Sequence, residues 1–600
     1  MHCHSFILFF LSLVQFISAR ALPGRSGDAK LVRIGANGPN RYPSHYTANI
    51  TNSNCFNSPT SRQCWGGGYS INTNVDSTWP RTGRTVRYNL EIQNITLALD
   101  GHPKQVLAVN GQYPGPTIRA RWGDTIQVTV KNSMQNNGTS MHWHGVRQWY
   151  SNPMDGTNGI TECPLAPGQS RTYTFLATQY GTTWYHSHHS SQYSQGVVGT
   201  IIIDGPTSAN WDYDLGVMPV TDWYYSSAFG IVSQLSVGAI RGPPPADNVL
   251  INGTNVNATS GGAYHRNTIQ KGKKYLLRFV NTATQDGYKI GLDGHNLTVV
   301  AADFVPIEPW TTDWLYIGVG QRYDVIVEAN QPIGSYWMHF VPQASCSNNK
   351  ITNAVSIFTY QGANSTTPSD STRNNGPSTS DCLDPNDNLI PYVQLDVPKN
   401  QTIPASSRLD VNFTIVQGNG TSQTLVQWNL NFTAIHAQWN KPTLEYVREG
   451  NTSYPRDMNL IELSTANAWS FWVIQAVPNL APAQPHPIHL HGHDFYVLGA
   501  GTGTYDNSQT LNYGNPPRRD VAMLPANGYL VLAFITDNPG AWLMHCHVAW
   551  HIDLGLGAQF LEQKNKIRPL LDATVGWNNQ CSSWDRYDDT AIYKETGSGL

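Results

Sequence analysis

Apolar and polar residues alternate along most of this chain in short runs. Ile126, Val128 and Val130 mark one run and Tyr173 and Phe175 another, and Gly, Pro, Asn and Asp fill the gaps between runs. A period of two belongs to a strand with one face in a core, because successive side chains project to opposite sides. Long stretches with the period of an amphipathic helix are scarce. The pattern predicts an all-β chain of short strands in Greek-key sandwiches or barrels. Phe6 to Ile17 breaks the alternation as an unbroken apolar run followed by Ser18-Ala19-Arg20-Ala21. It reads as a secretory signal peptide over residues 1–19, too short for a stop-transfer helix. No later stretch is apolar and long enough to span a bilayer, so no membrane partner is expected.

An internal repeat sharpens the fold. Gly181 to His186, Gly334 to His339 and Gly540 to His545 each place a histidine five residues after a glycine, beyond one or two aromatics. Three copies imply three similar β-domains, consistent with a length beyond what one core supports. The expected divisions are a propeptide over 20–51 and domains over 52–206, 207–391 and 392–600. A Ser/Thr/Asn/Pro-rich loop or linker at 362–381 falls late in the second. The copies continue differently, as His186-Ser187-His188, His339-Phe340-Val341 and His545-Cys546-His547. The middle domain has lost its ligands, and would hold the outer two in place around a shared cluster.

The histidines carry the chemistry. Four clusters, His142-Trp143-His144, His186-Ser187-His188, His486 to His491 and His545-Cys546-His547 with His551, supply ten imidazoles and one thiol. In His-x-His on a strand both rings face one side and the middle residue faces the other. One tripeptide, His545-Cys546-His547, can therefore touch two metal centres. A thiolate with two imidazoles is a blue-copper ligand set, and His486 and His551 are the nearest spare imidazoles to complete it. The other eight histidines form a separate all-nitrogen cluster. Zinc also takes His and Cys, but ten histidines sharing one cysteine exceed any four-coordinate structural site. His102, His189, His265, His295, His339 and His436 read as structural, and His493 extends the third cluster in period two.

Composition narrows the partners. A formal net charge of −3 leaves no electrostatic footprint for nucleic acid or anionic membrane, and favours small neutral partners. With Cys3 in the signal and Cys546 a ligand, six cysteines remain, an even number that suggests three disulfides among fifteen possible pairings. Proximity favours Cys55–Cys64 and Cys346–Cys382. About a dozen Asn-x-Ser/Thr sequons, Asn94, Asn137, Asn252, Asn296, Asn431 and Asn451 among them, fit a glycosylated, secreted, extracellular protein.

The segments His142 to Gly145, His186 to His188, His486 to His493 and His545 to Leu556 resemble, in order, the four copper signatures of the multicopper oxidases. Met154-Asp155-Gly156 to Thr161-Glu162-Cys163-Pro164 and Asn538-Pro539-Gly540-Ala541-Trp542 resemble the laccases of filamentous ascomycete fungi. The resemblance runs from about Cys55 to the C-terminus. It implies three cupredoxin-like domains and four copper ions. A type 1 copper would be held by His486, Cys546 and His551, with the non-ligand Leu556 at the axial position. A type 2 copper would take His142 and His489, and a type 3 pair His144, His186, His188, His491, His545 and His547. It also implies a disulfide between Cys163 and Cys581, and a proton relay at Asp155. Asp247 resembles a carboxylate that accepts a phenolic proton in some laccases, although a turn-capping aspartate would also sit there. The ending Gly597-Ser598-Gly599-Leu600 resembles a tail that plugs a solvent channel, with Gly597 where that tail carries aspartate.

The expected activity is one-electron oxidation of phenols and aromatic amines coupled to four-electron reduction of O₂ to water. A ferroxidase is the enzyme alternative, since leucine also occurs at the axial position there, although the chain shows no C-terminal anchor or evident acidic iron site. A non-catalytic copper carrier is the alternative from another class. A monomer is expected, with a dimer open.

Overall fold

The computed structural model describes residues 32–33, 55–369, 382–399, 403–417, 424–480, 482–592, 594 and 597–600. The signal-peptide expectation lies outside the described residues, as do the propeptide apart from 32–33 and the Ser/Thr-rich loop from residue 370 on.

Three pairs of packed sheets follow one another along the chain. In the first pair, Thr125–Asn132 lies parallel to Arg84–Leu97 and antiparallel to Ser170–Leu176. Ile126, Val128 and Val130 are fully buried while the residues between them reach solvent, as their alternation predicts. Each such apolar side chain contributes about 1.5–3 kcal/mol by leaving water. The facing sheet orders Gly115–Arg121, Val198–Asp204, Gly181–His186 and His142–Trp143. The second pair contains Ser335–Pro342 beside Tyr288–Leu292, and the third contains Gly540–Cys546 between His486–Leu490 and Gly557–Glu562. Each pair encloses its own apolar core. The all-β expectation of three cupredoxin-like domains is borne out.

Strand register explains what the repeat does. His186 lies opposite His142 in the first domain, and His545 lies opposite His489 in the third. In the middle domain His339 lies opposite Gly291. A Cβ at Gly291 would come within 2.9 Å of the Trp314 ring, so that position has no room for a ligand side chain. His339 instead turns its Nε2 to Asp293 Oδ1 at 3.1 Å. The middle copy keeps the histidine and uses it in a hydrogen bond.

The outer domains clasp each other directly. Asn152 donates to the Ala541 carbonyl at 2.9 Å and accepts from the Ala541 amide at 3.1 Å. The structure joins Cys55 to Cys64, Cys346 to Cys382 and Cys163 to Cys581, and the last spans 418 residues to tie the first domain to the C-terminal helix Trp577–Asp588.

Candidate metal centre

The strand Gly540–Cys546 turns Cys546 into the third domain's core beside Leu556, Trp550 and Met544. The chain then coils into the short helix Ala549–Asp553, which brings His551 back over the sulfur. His551 Nδ1 lies 3.3 Å from Cys546 Sγ and His486 Nδ1 lies 3.6 Å from it, and the two ring nitrogens are 3.2 Å apart. Cys546 and His486 are 0 % exposed and His551 is 6 % exposed, so His551 alone offers an edge toward solvent. Burial pushes the Cys546 thiol far up and drives His486 down to about 3. The sulfur holds its proton unless a cation displaces it, whereas the imidazoles are neutral and ready to coordinate. Leu556 is buried, and its carbonyl accepts the Cys546 amide at 3.1 Å.

His545 and His547 face the other way, into the seam between the first and third domains. There the eight remaining histidines converge in overlapping triads: His144, His186 and His547; His188, His491 and His545; and His142, His144 and His489. Backbone carbonyls set the ring orientations. The Nδ1–H groups of His142, His186, His489 and His545 donate to the carbonyls of Asp155, Ser187, Asp520 and Cys546 at 2.7–3.0 Å. The opposite atoms of three of them, His142 Nε2, His186 Nε2 and His489 Nε2, are buried without a hydrogen-bond partner, as are both ring nitrogens of His188. Unpaired buried polar atoms are costly, and so many aimed together fit metal ions as the missing partners. Burial, then the proximity of the other rings, drives His188, His489 and His491 well below the ordinary imidazole value. Burial takes His545 to about 3. The donor set fits copper, which takes neutral imidazole and thiolate.

Two carboxylates brace this cluster. Asp155 Oδ2 accepts from His491 Nδ1 at 2.9 Å and from the Thr157 hydroxyl at 2.7 Å, and its Oδ1 lies 3.3 Å from His142 Nδ1. On the opposite side Asp520 accepts from His144 Nε2 at 3.1 Å and receives a bidentate pair from Arg322 of the middle domain. Sequence reading missed Asp520 and Arg322; the one trace of Asp520 is its place directly after Arg518-Arg519. It also missed Gln484 and Trp428, which lie against the outer face of His551. Asp247 is ion-paired to Lys350 and accepts the Tyr225 amide at 2.7 Å. Trp550 is buried edge-on against Tyr224. His493 stands apart from both clusters, 2.6 Å from Glu562 Oε1. The buried Leu600 ends the chain in a small cavity lined by His186, His188, His545 and His547. The Ser598 amide anchors that tail by donating to the Asp553 carbonyl at 2.8 Å.

Sequence models of the multicopper oxidase family match residues 91–208, 214–363 and 422–566. A laccase-3 of Botryotinia fuckeliana is 52 % identical over 460 residues, covering 74 % of this chain and all of that protein. The crystal structure of a laccase from Botrytis aclada superposes with a TM-score of 0.84 at 39 % identity, covering 91 % of this chain and 100 % of that one. Fet3p, a multicopper oxidase that functions in iron import, is more distant, with a TM-score of 0.73 at 27 % identity over 84 % of this chain and 95 % of its own. The chain belongs to the multicopper oxidase family. Within that family it is an oxidoreductase of the laccase type, with four copper ions, one type 1, one type 2 and a type 3 pair.

Proposed function

We propose that this laccase is secreted, that it oxidises phenols and aromatic amines at a copper held by His486, Cys546 and His551, and that it passes four electrons to O₂ at the histidine cluster. In this allocation Leu556, buried in the same core as Cys546, has no donor atom to offer the ion, which would favour the reduced ion and a high potential. His144, His186 and His547 hold one type 3 ion, His188, His491 and His545 hold the other, and His142 and His489 hold type 2. The observation that carries the reading is the tripeptide His545-Cys546-His547, whose thiol faces one cluster and whose imidazoles face the other. When bound, the ions supply one-electron uptake at the first site and reduction of O₂ to water at the second. Asp155 fixes the Nδ1 protons of His142 and His491 and relays protons from the Thr157 side to the reacting oxygen. Asp247 is the candidate acceptor of a phenolic proton and must exchange its Lys350 partner to act. Asp247→Asn then weakens phenol oxidation much more than oxidation of a non-phenolic dye, and equal loss rejects that role.

Buried ligands speak against an exchangeable carrier. Secretion draws support from the apolar N-terminal run, the three disulfides and the exposed sequon residues Asn94, Asn252, Asn296 and Asn431. Among the described residues no helix is long and apolar enough to cross a membrane. A monomer acting on small aromatic substrates, without nucleic acid or membrane, accords with the modest net charge. Oxygen uptake by the copper-loaded protein decides the substrate class. Fast uptake with a methoxyphenol and little with a ferrous salt is expected; preference for iron would make it a ferroxidase, and silence with both would favour the carrier.

A further inference from the structure

The side-chain amide of Gln484 lies 2.7 Å from His551 Nε2, on the one ligand of the thiol-containing triad that reaches solvent. His551 directs its Nδ1 toward Cys546 Sγ, so with metal bound the Nε2 atom carries the ring proton. Two donors cannot pair. The amide must therefore present its carbonyl oxygen, which a turn about its terminal torsion supplies without moving the backbone. The backbone at Gln484 is restrained, because Pro485 follows it and a residue before proline is confined to extended backbone. Trp428 packs on His551 with ring centroids 4.6 Å apart and closes the neighbouring side. Gln484 itself is half-buried.

We infer that Gln484 is a positioning and specificity-determining residue: its side-chain carbonyl accepts the His551 Nε2–H, which strengthens that ligand and occupies the edge to which a phenol hydroxyl would bond. The inference rests on the type 1 allocation above. An acceptor on the far nitrogen raises imidazole basicity and fixes the ring, favouring the oxidised ion and lowering its potential. It also means that a hydroxyl-bonding substrate must first displace the amide, whereas a dye that makes no such bond need not.

Redox titration of the blue absorption, with KM measured for a methoxyphenol and a non-phenolic dye, tests this on the holoenzyme. The potential should rise in Gln484→Leu and should not rise in Gln484→Glu, which keeps an acceptor. In Gln484→Leu, KM for the methoxyphenol should fall by about fivefold, equivalent to one net hydrogen bond, while KM for the dye stays unchanged. A blue Gln484→Leu variant with the same potential as the parent, or an equal change in both of its KM values, would overturn the inference and leave the ligand allocation intact. A parent protein that binds copper without blue absorption would overturn both.

Discussion

At the scale of single residues the chemistry depends on which nitrogen each imidazole presents. Asp155 accepts the Nδ1 proton of His491 and its backbone carbonyl accepts that of His142, so one residue turns two Nε2 atoms inward. Asp155→Asn should lower turnover on the order of 10–100-fold, as loss of a group supporting metal ligands commonly does, while the blue absorption of the distant thiol site stays. Unchanged oxygen uptake at saturating phenol would reject the relay. Asp155 was legible because it follows His144 by eleven residues in a motif of its own. Asp520 was not, because it meets His144 across 376 residues, and nothing local in Arg518-Arg519-Asp520 announces that contact. Gln484 was hidden for the same reason: its function lies in an atom 67 residues away.

At the scale of elements, strand alternation was readable because burial on one face imposes a period of two. Which strands pair was not. The parallel pairing of Arg84–Leu97 with Thr125–Asn132 needs a crossover that periodicity does not encode. The loop containing Gly320 shows how a middle domain without ligands still shapes the site. Gly320 has φ +84°, and a Cβ there would lie 2.9 Å from His547 Cδ2 and 3.2 Å from His144 Cε1. Gly320→Ala should therefore cost about 1–2 kcal/mol in backbone strain and push those two rings apart. Metal analysis should then find type 3 copper depleted with the blue absorption kept. Four coppers per chain in that variant would show that the loop yields instead.

At the scale of the whole molecule, the two outer domains hold mutually close rings that only a metal can satisfy, and the middle domain braces them through Arg322, which pairs with Asp520 of the third. The repeat announced three domains and a cluster shared by the outer two, yet the contacts that build the seam, Asn152 with Ala541 among them, were invisible in the sequence because no motif spans them. Buried imidazoles also set a pH dependence. Burial takes His189, His486 and His545 to about 3, below an ordinary imidazole value of about 6.5. The unfolded chain binds protons that the folded chain refuses, so this contribution to stability is whole above pH about 6.5 and is lost as pH falls toward 3. The urea midpoint of copper-free protein should drop steadily from pH 7 to pH 4 and lie below that of the loaded protein throughout. A flat profile would mean that the rings are not desolvated. The most direct test of the two-centre arrangement is anomalous diffraction at the copper edge from crystals of the loaded protein. One peak should lie among His486 Nδ1, Cys546 Sγ and His551 Nδ1, and three among the eight histidines of the seam. A peak missing from either place, or copper at the His493–Glu562 pair instead, would contradict it.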